Sequence, residues 1–410
     1  MTKWAFCMGI LDLFRGSKDE RIAKRLIAEF RAAGEKQRME FVPEECAVVV
    51  LDAEGLRGST CHLANLKYEL AHAESAQHDA IYERFVRGLM DSASAGPMTY
   101  AEARPLLRVA LRDAAYGERC RLVSKQNNPL KGTMPASSRA VAGDLSAYCV
   151  VDRELGIDYV TPEQLTAWGV ENQQLLDDAY ENTRAMNFRT ETAGALHFVI
   201  GPNAYNVSCL LCIDGIRKLP VRGAPVAAAA TRDSLSITGS DDLAGLELLA
   251  GLFEAELKDG NRLVCGRPLV LTDAGWQLFE PPASLRPRFL AIASQYDALF
   301  WNDYKELLAT DLEAGGEDIF VATLSLFEEQ GTGVVFSSVV WSRDVDTILP
   351  PAERVFFYDS EDESSRVASW PDVVRVMGTA MQELDGAPRR FRVQDFPNPG
   401  QFLEMGAKQI

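Results

Sequence analysis

Strand-like stretches arrive in pairs in this chain, each pair set between helical stretches, and that ordering constrains the fold more than any other feature. Residues 145–151 and 157–160 form one pair, 225–229 and 234–238 a second, and 269–271 and 276–279 a third. Strands joined by a few residues pair antiparallel, whereas a doubly wound parallel sheet needs a helical crossover between successive strands. The expected fold class is therefore α+β, with mixed, mostly antiparallel sheets flanked by helices in a multidomain chain.

Helical segments are marked by caps and periodicity. Ser17 with Glu20 has the pattern of a capping box, Gly34 ends the run, and Ile22, Leu26, Ile27 and Phe30 recur at helical spacing between them. Two strands follow over 39–51, bent at Pro43, then helices over 63–73 and 76–89 and a loop over 91–97. Residues 100–111 read as a helix whose first turns Pro105 disturbs. Thr161 with Gln164 caps a short helix that stops at Trp168-Gly169, helices are expected over 172–186, 208–218, 289–308 and 370–384, and Gly239-Ser240-Asp241-Asp242 starts an apolar helix through Leu257. Strands are read over 196–200, 354–358 and 391–393. A hairpin joins 319–327 to 334–341 round Gln330-Gly331-Thr332-Gly333. Two stretches look like linkers, 124–139, rich in Asn, Pro and Ser, and 281–285, which follows Glu280 with two prolines. They divide the chain into an N-terminal unit 1–123, a central unit 140–280 and a C-terminal acidic unit 286–410.

Of the 410 residues, 59 are acidic and 42 basic, a net charge of −17, which argues against nucleic acid or an anionic membrane as partner. The surplus is local. Residues 301–370 hold 15 acidic and 4 basic residues, while 101–140 hold 8 basic and 3 acidic. No stretch reaches the roughly 20 apolar residues of a membrane span. The start, Lys3 followed by apolar Trp4 to Leu11, is interrupted by Asp12 and Arg15 before any cleavage site, and Met8 is a second candidate initiator beside Met1. The eight cysteines lie mostly in apolar runs of a chain long enough to build a core, so they are read as reduced thiols in the cytoplasm.

Candidate chemistry is sparse. Cys61, His62, His72 and His78 crowd together, but their spacing does not suit zinc and His72 and His78 fall on different helix faces, so no metal site is expected. Cys209 and Cys212 form a C-x-x-C, a redox candidate whose Leu210-Leu211 interior favours core packing. Asp359 to Glu363 lacks the alternation of a calcium loop and reads as a solvated turn. No phosphate-binding glycine loop, nucleophile elbow or H-E-x-x-H is present.

Several stretches together resemble the bacterial YtpQ-like family, a domain of unknown function. They are Leu63 to Leu66 with Tyr82 to Leu89, Asp158-Tyr159-Val160-Thr161-Pro162-Glu163-Gln164-Leu165 running through Trp168-Gly169-Val170 to Ala179-Tyr180-Glu181-Asn182, Thr231-Arg232-Asp233-Ser234-Leu235, Gly316 to Ala322, and Val340-Trp341 with Val345-Asp346-Thr347. The resemblance implies a bacterial cytoplasmic protein and carries over no catalytic residue. Thr231 stands where the family favours Asn, which would alter a pocket built on that motif.

The resulting expectation is a protein-interaction or adaptor module without catalysis or cofactor, acting on a protein partner. Its rival is a small-ligand binder or enzyme using Arg232, Asp233, Asp344 and Asp346 at strand ends, with a divalent metal in one version.

Overall fold

The strand pairs at 225–238 and 269–279 meet antiparallel, and helices cover the sheets they form. The computed structural model describes residues 18–43, 46–51, 57–94, 98–127, 135–153, 156–202, 205–259, 262–329, 331 and 335–410. The candidate starts Met1 and Met8, the middle of the expected linker at 128–134 and most of the turn at 330–334 lie outside these residues. No described helix is long and apolar enough to cross a membrane.

Two compact units are present, Met1–Glu102 with Asp152–Asp158, and Ala103–Val151 with Tyr159–Ile410. In the first, α1 (Lys18–Ala32) is followed by β1 (Arg38–Val42), β2 (Ala47–Leu51) and β3 (Arg57–His62), an antiparallel sheet in that order. The helices α2 (Ala64–His72) and α3 (His78–Ser94) complete it. Ile22, Leu26 and Phe30 of α1 meet Val48, Leu66, Tyr82 and Val86 in one core, as the helical spacing predicts.

The chain passes through a one-turn helix, α4 (Tyr100–Ala103), into β4 (Leu107–Asp113) of the second unit. Here expectation and structure part. Pro105 ends the helix within a turn, and the chain then runs on as a strand buried almost throughout. The expected linker 124–139 holds the end of α5 (Tyr116–Asn127) and the start of β5 (Ser138–Ala142). The strand β6 (Leu145–Arg153) lies between β4 and β5 and pairs antiparallel with both. After β7 (Gly156–Tyr159) come α6 (Pro162–Trp168) and α7 (Asn172–Arg184). Thr161 and Gln164 form the expected capping box on α6, and Gly169 closes it in the left-handed region at φ 64°.

A six-stranded sheet comes next, built from β8 (Arg189–Ala193), β9 (Leu196–Ile200), β10 (Pro225–Ala228), β11 (Ser236–Gly239), β12 (Leu269–Thr272) and β13 (Gly275–Leu278) in the order β13-β12-β10-β11-β9-β8. The expected helix at 208–218 is a 3₁₀ turn over Val207–Leu211 and a single turn, α8 (Ile213–Ile216). The apolar helix α9 (Leu243–Asp259) packs Leu246, Leu249 and Phe253 against this sheet.

The 29-residue helix α10 (Arg286–Ala314), about 43 Å long, explains why this unit is not divided at 281–285. Phe289, Ile292 and Tyr296 belong to the core that holds Phe253 and Val226. Further along the same helix, Trp301, Tyr304 and Leu308 pack with Val339, Trp341, Val355 and Phe357. One rod thus completes two cores.

The last part contains β14 (Phe320–Val321), β15 (Ser325–Glu328), β16 (Val335–Ser342), β17 (Thr347–Leu349), β18 (Arg354–Asp359) and β19 (Ser364–Ser369), then α11 (Trp370–Met377), β20 (Met381–Leu384), β21 (Arg390–Val393), α12 (Pro399–Glu404) and β22 (Lys408–Gln409). They form a four-stranded sheet, β14-β17-β21-β20, and a five-stranded one, β15-β16-β18-β19-β22. The stretch read as one strand over 319–327 is divided between the two. Parallel pairs occur at β14–β17 and β16–β18, and the remaining pairings of these sheets are antiparallel.

Candidate functional site

A charged side chain in a buried strand needs partners, and β4 carries two. Along β4 successive side chains alternate, so Asp113 and Arg112 leave on opposite faces. Asp113 pairs with Arg119 of α5 at 2.7 Å. Arg112 shares its face with Ala110, opposite Ser146 and Tyr148 of β6.

Arg112 is only 8% exposed and sits among phenol rings. Its guanidinium carbon is 5.7 Å from the ring centres of both Tyr116 and Tyr159, which lie 5.2 Å apart. Tyr148 meets these rings edge-on and accepts a hydrogen bond from the Gly117 amide at 3.0 Å, fixing the start of α5 over the strand. Arg112 Nη1 donates to the Leu111 carbonyl at 2.7 Å. Its Nε is buried and has no hydrogen-bond partner. An unsatisfied buried polar group costs about 1–3 kcal/mol, so this is a place where the fold gives up stability.

Two more arginines stand in the segments after β10 and α9, Arg232 within electrostatic reach of Arg112. Thr231 bridges to Leu263, the Arg232 amide donates to the Arg262 carbonyl at 3.0 Å, and Val264 N donates to Ala230 O at 2.8 Å. Arg262 has φ 56°, a left-handed conformation that a residue other than glycine rarely adopts, and its Nη1 donates to Asp233 Oδ2 at 2.8 Å. Asp233 is held in turn, its amide donating to Thr231 Oγ1 and its carbonyl accepting from Asn206 Nδ2 at 2.7 Å. Burial, then the charges of Arg112 and Arg262, pulls the Arg232 pKa down to about 10. Tyr159 and Tyr116 act on it in the opposite sense, which places all five groups in one electrostatic neighbourhood. Burial likewise pushes up the Tyr116 phenol and the Cys120 thiol beside it, so both stay neutral.

The structure therefore brings together Arg232 and Asp233 of the expected set and adds Arg112 and Arg262. Asp346 is engaged elsewhere, accepting from Arg392 at 2.6 Å and from Gln394 at 2.7 Å. Asp344 is exposed, at φ 60°, next to Arg343, which grips Asp359 through two 2.6 Å bonds. Sequence reading missed Arg112, although two signals pointed to it, the basic excess of 101–140 and an arginine following an apolar run.

The other candidates are plainly placed. Cys209 and Cys212 are buried, and the Cys212 thiol donates to the Thr183 carbonyl at 3.4 Å. His72 Nδ1 lies 2.8 Å from the Tyr68 carbonyl, and the His62 side chain is outside the described residues. Among the described residues no three His, Cys, Asp or Glu side chains are grouped to hold a metal ion. A cleft of about 250 Å³ lined by Arg184, Leu211, Ile213, Asp214 and Arg217 is open, and its arginines are exposed.

No protein-family model, curated protein or solved structure matches the chain. The YtpQ-like resemblance rests on its motifs alone. Of these, Thr161 and Gly169 cap a helix and Asn182 Nδ2 bonds the Arg104 and Leu107 carbonyls, whereas Thr231 to Leu235 enters the arginine centre.

Proposed function

We propose that this protein binds a small anionic ligand at the centre formed by Arg112, Arg232 and Arg262. The observation that carries the reading is the buried Nε of Arg112, a cationic donor without an acceptor inside a like-charged cluster. Buried charge of one sign is normally paired or expelled. A fold that keeps it keeps it for a ligand. The paired Arg262 and Asp233 side chains are 21% and 20% exposed. The setting in this proposal is a bacterial cytosol, in a YtpQ-like protein, with neither nucleic acid nor membrane as partner. Titration calorimetry with sulfate, at ionic strength held constant with chloride, tests it. The expected result is saturable binding that Arg112→Met reduces at least tenfold, and heat no greater than in the chloride control would remove the reading.

A second reading, a protein-contact module, is supported by the outer face of the five-stranded sheet. Phe327, Val340 and Tyr358 are 49%, 48% and 41% exposed there, around a cluster of Phe327, Phe336 and Phe356. Isolated exposed apolar residues need no explanation, but a contiguous face does. A partner retained by the native chain and lost from Val340→Lys with Tyr358→Lys would favour this reading.

A further inference from the structure

The first compact unit holds a thiol, an amine and a carboxylate in mutual contact, away from the arginine centre and independent of anion binding. We infer that Cys46 and Lys67 are a site of oxidative modification, where a hydroperoxide closes a reversible sulfur–nitrogen bond between the two side chains.

Asp19 stands in the first turn of α1, Cys46 immediately before β2, and Lys67 in the first turn of α2. The Cys46 thiol donates to Asp19 Oδ2 at 3.3 Å. The Lys67 ammonium donates to the same oxygen at 2.8 Å and lies 3.5 Å from Cys46 Sγ. Backbone bonds hold the thiol's position, the Cys46 amide donating to the Pro43 carbonyl at 3.1 Å and the Cys46 carbonyl accepting from the Leu63 amide at 3.0 Å. Cys46 has φ 46°, in the left-handed region that glycine or asparagine fills more readily, so a cysteine is kept there against the local backbone preference. The Asp19 and Lys67 side chains are 33% and 36% exposed, which lets a small oxidant reach the half-buried thiol. Burial and then the bond to Asp19 push the Cys46 thiol up, so it rests protonated, while the bond to Asp19 keeps Lys67 charged.

These three groups supply and receive the protons that the reaction moves. Sulfur attacks one oxygen of hydrogen peroxide and the O–O bond breaks. The thiol proton passes to Asp19, and the departing hydroxide takes a proton from Lys67 and leaves as water. A sulfenic acid now faces a neutral amine. The Lys67 nitrogen attacks that sulfur, the S–O bond breaks, and the hydroxide leaves as a second water with the proton held by Asp19. The nitrogen then sheds one proton to solvent. Sulfur has lost two electrons and the peroxide oxygens have gained them. Rotation about the flexible lysine stem is enough to bring nitrogen onto sulfur. Two equivalents of an added thiol return the free thiol and amine and are themselves joined as a disulfide.

The test treats the full native chain with hydrogen peroxide, alkylates the remaining thiols and maps the peptides by mass spectrometry. The expected product joins the Cys46 and Lys67 peptides at a mass two hydrogens below their sum, and dithiothreitol separates them again. Lys67→Arg keeps a cation on Asp19 but offers no nucleophilic amine, so its Cys46 should stop at the sulfenic acid, trapped by dimedone, with no joined peptide. Asp19→Asn removes the acceptor of the thiol proton and should slow formation of the link by about tenfold or more. Circular dichroism matching the parent establishes that each variant is folded. Three results in the parent chain overturn the inference whatever the variants do. They are Cys46 passing to sulfinic or sulfonic acid with Lys67 free, Cys46 joined to another cysteine, and Cys46 left reduced under peroxide that oxidises it in the urea-unfolded chain.

Discussion

The peptide N–H of Arg232 donates to the carbonyl of Arg262 at 3.0 Å, so two arginines are tied by their backbones while their side chains repel. Asp233, next in sequence to Arg232, moderates that repulsion through its 2.8 Å bond to Arg262. Asp233→Asn removes the moderating charge and should lower stability by about 1–3 kcal/mol in urea unfolding. Sulfate should then recover more stability for the variant than for the parent, relative to chloride at equal ionic strength. Equal recovery in both would mean that the cluster is not held under electrostatic strain.

Arg112 invites the opposite experiment. Replacing a buried charge by an apolar side chain of similar length is often neutral or stabilising, by up to about 4 kcal/mol. Arg112→Met should keep or raise the melting temperature while weakening anion binding at least tenfold. A loss of several degrees in the variant would assign Arg112 to the architecture of the β4–α5 junction instead.

The Asp346 carboxylate gives a pH test at another place. Hydrogen bonds from Arg392 hold its pKa below the ordinary carboxylate value. A depressed folded pKa contributes stability that is present above the unfolded value, near 3.9, and is lost as pH falls through the folded one. Asp346→Asn should therefore cost about 1 kcal/mol at pH 7, allowing for side chains that are 21% and 32% exposed. The gap between variant and parent should narrow as pH falls below the unfolded value and close once it has passed the lowered folded one. A gap that stays constant down to pH 2 would show that the carboxylate acts by shape alone.

Trp301 probes the shared helix. It is 2% exposed and its indole donates to the Ala322 carbonyl at 2.7 Å, so Trp301→Ala should cost about 3–5 kcal/mol. Because α10 also carries Phe289 and Tyr296 into the other core, calorimetry should show both cores shifting in a single transition. Separate early melting of the Trp301 side would contradict one cooperative unit.

Legibility in the sequence followed burial on one face. Where an element has one wet face, as in α1 and α7, or a strong cap, as in α6, periodicity and capping residues place it within a few residues. β4 is covered on both faces, so Leu107, Ala110 and Leu111 give no alternation and mimic helical spacing. α5 is the converse, with Leu122 its buried member: its end, 124–127, falls in the stretch read as a linker, and its earlier residues are assigned no element. These two misread elements meet at the arginine centre, which is why only its Arg232-Asp233 half was visible. The parallel β16–β18 pair also leaves no local trace, since its register depends on residues a full excursion away.

A rod shared by two cores also sets an order of events during synthesis. The sheet from β8 to β13 is complete in sequence before residue 286, yet its core waits for Phe289, Ile292 and Tyr296. Those residues leave the ribosome on the same helix that must later receive Val339, Trp341 and Phe357. The growing chain therefore holds one half of α10 docked and the other half bare until the last third of the protein has emerged. A stall or a nick within 297–320 would strand an apolar helix end, making that window the chain's most vulnerable stretch to aggregation and degradation before completion.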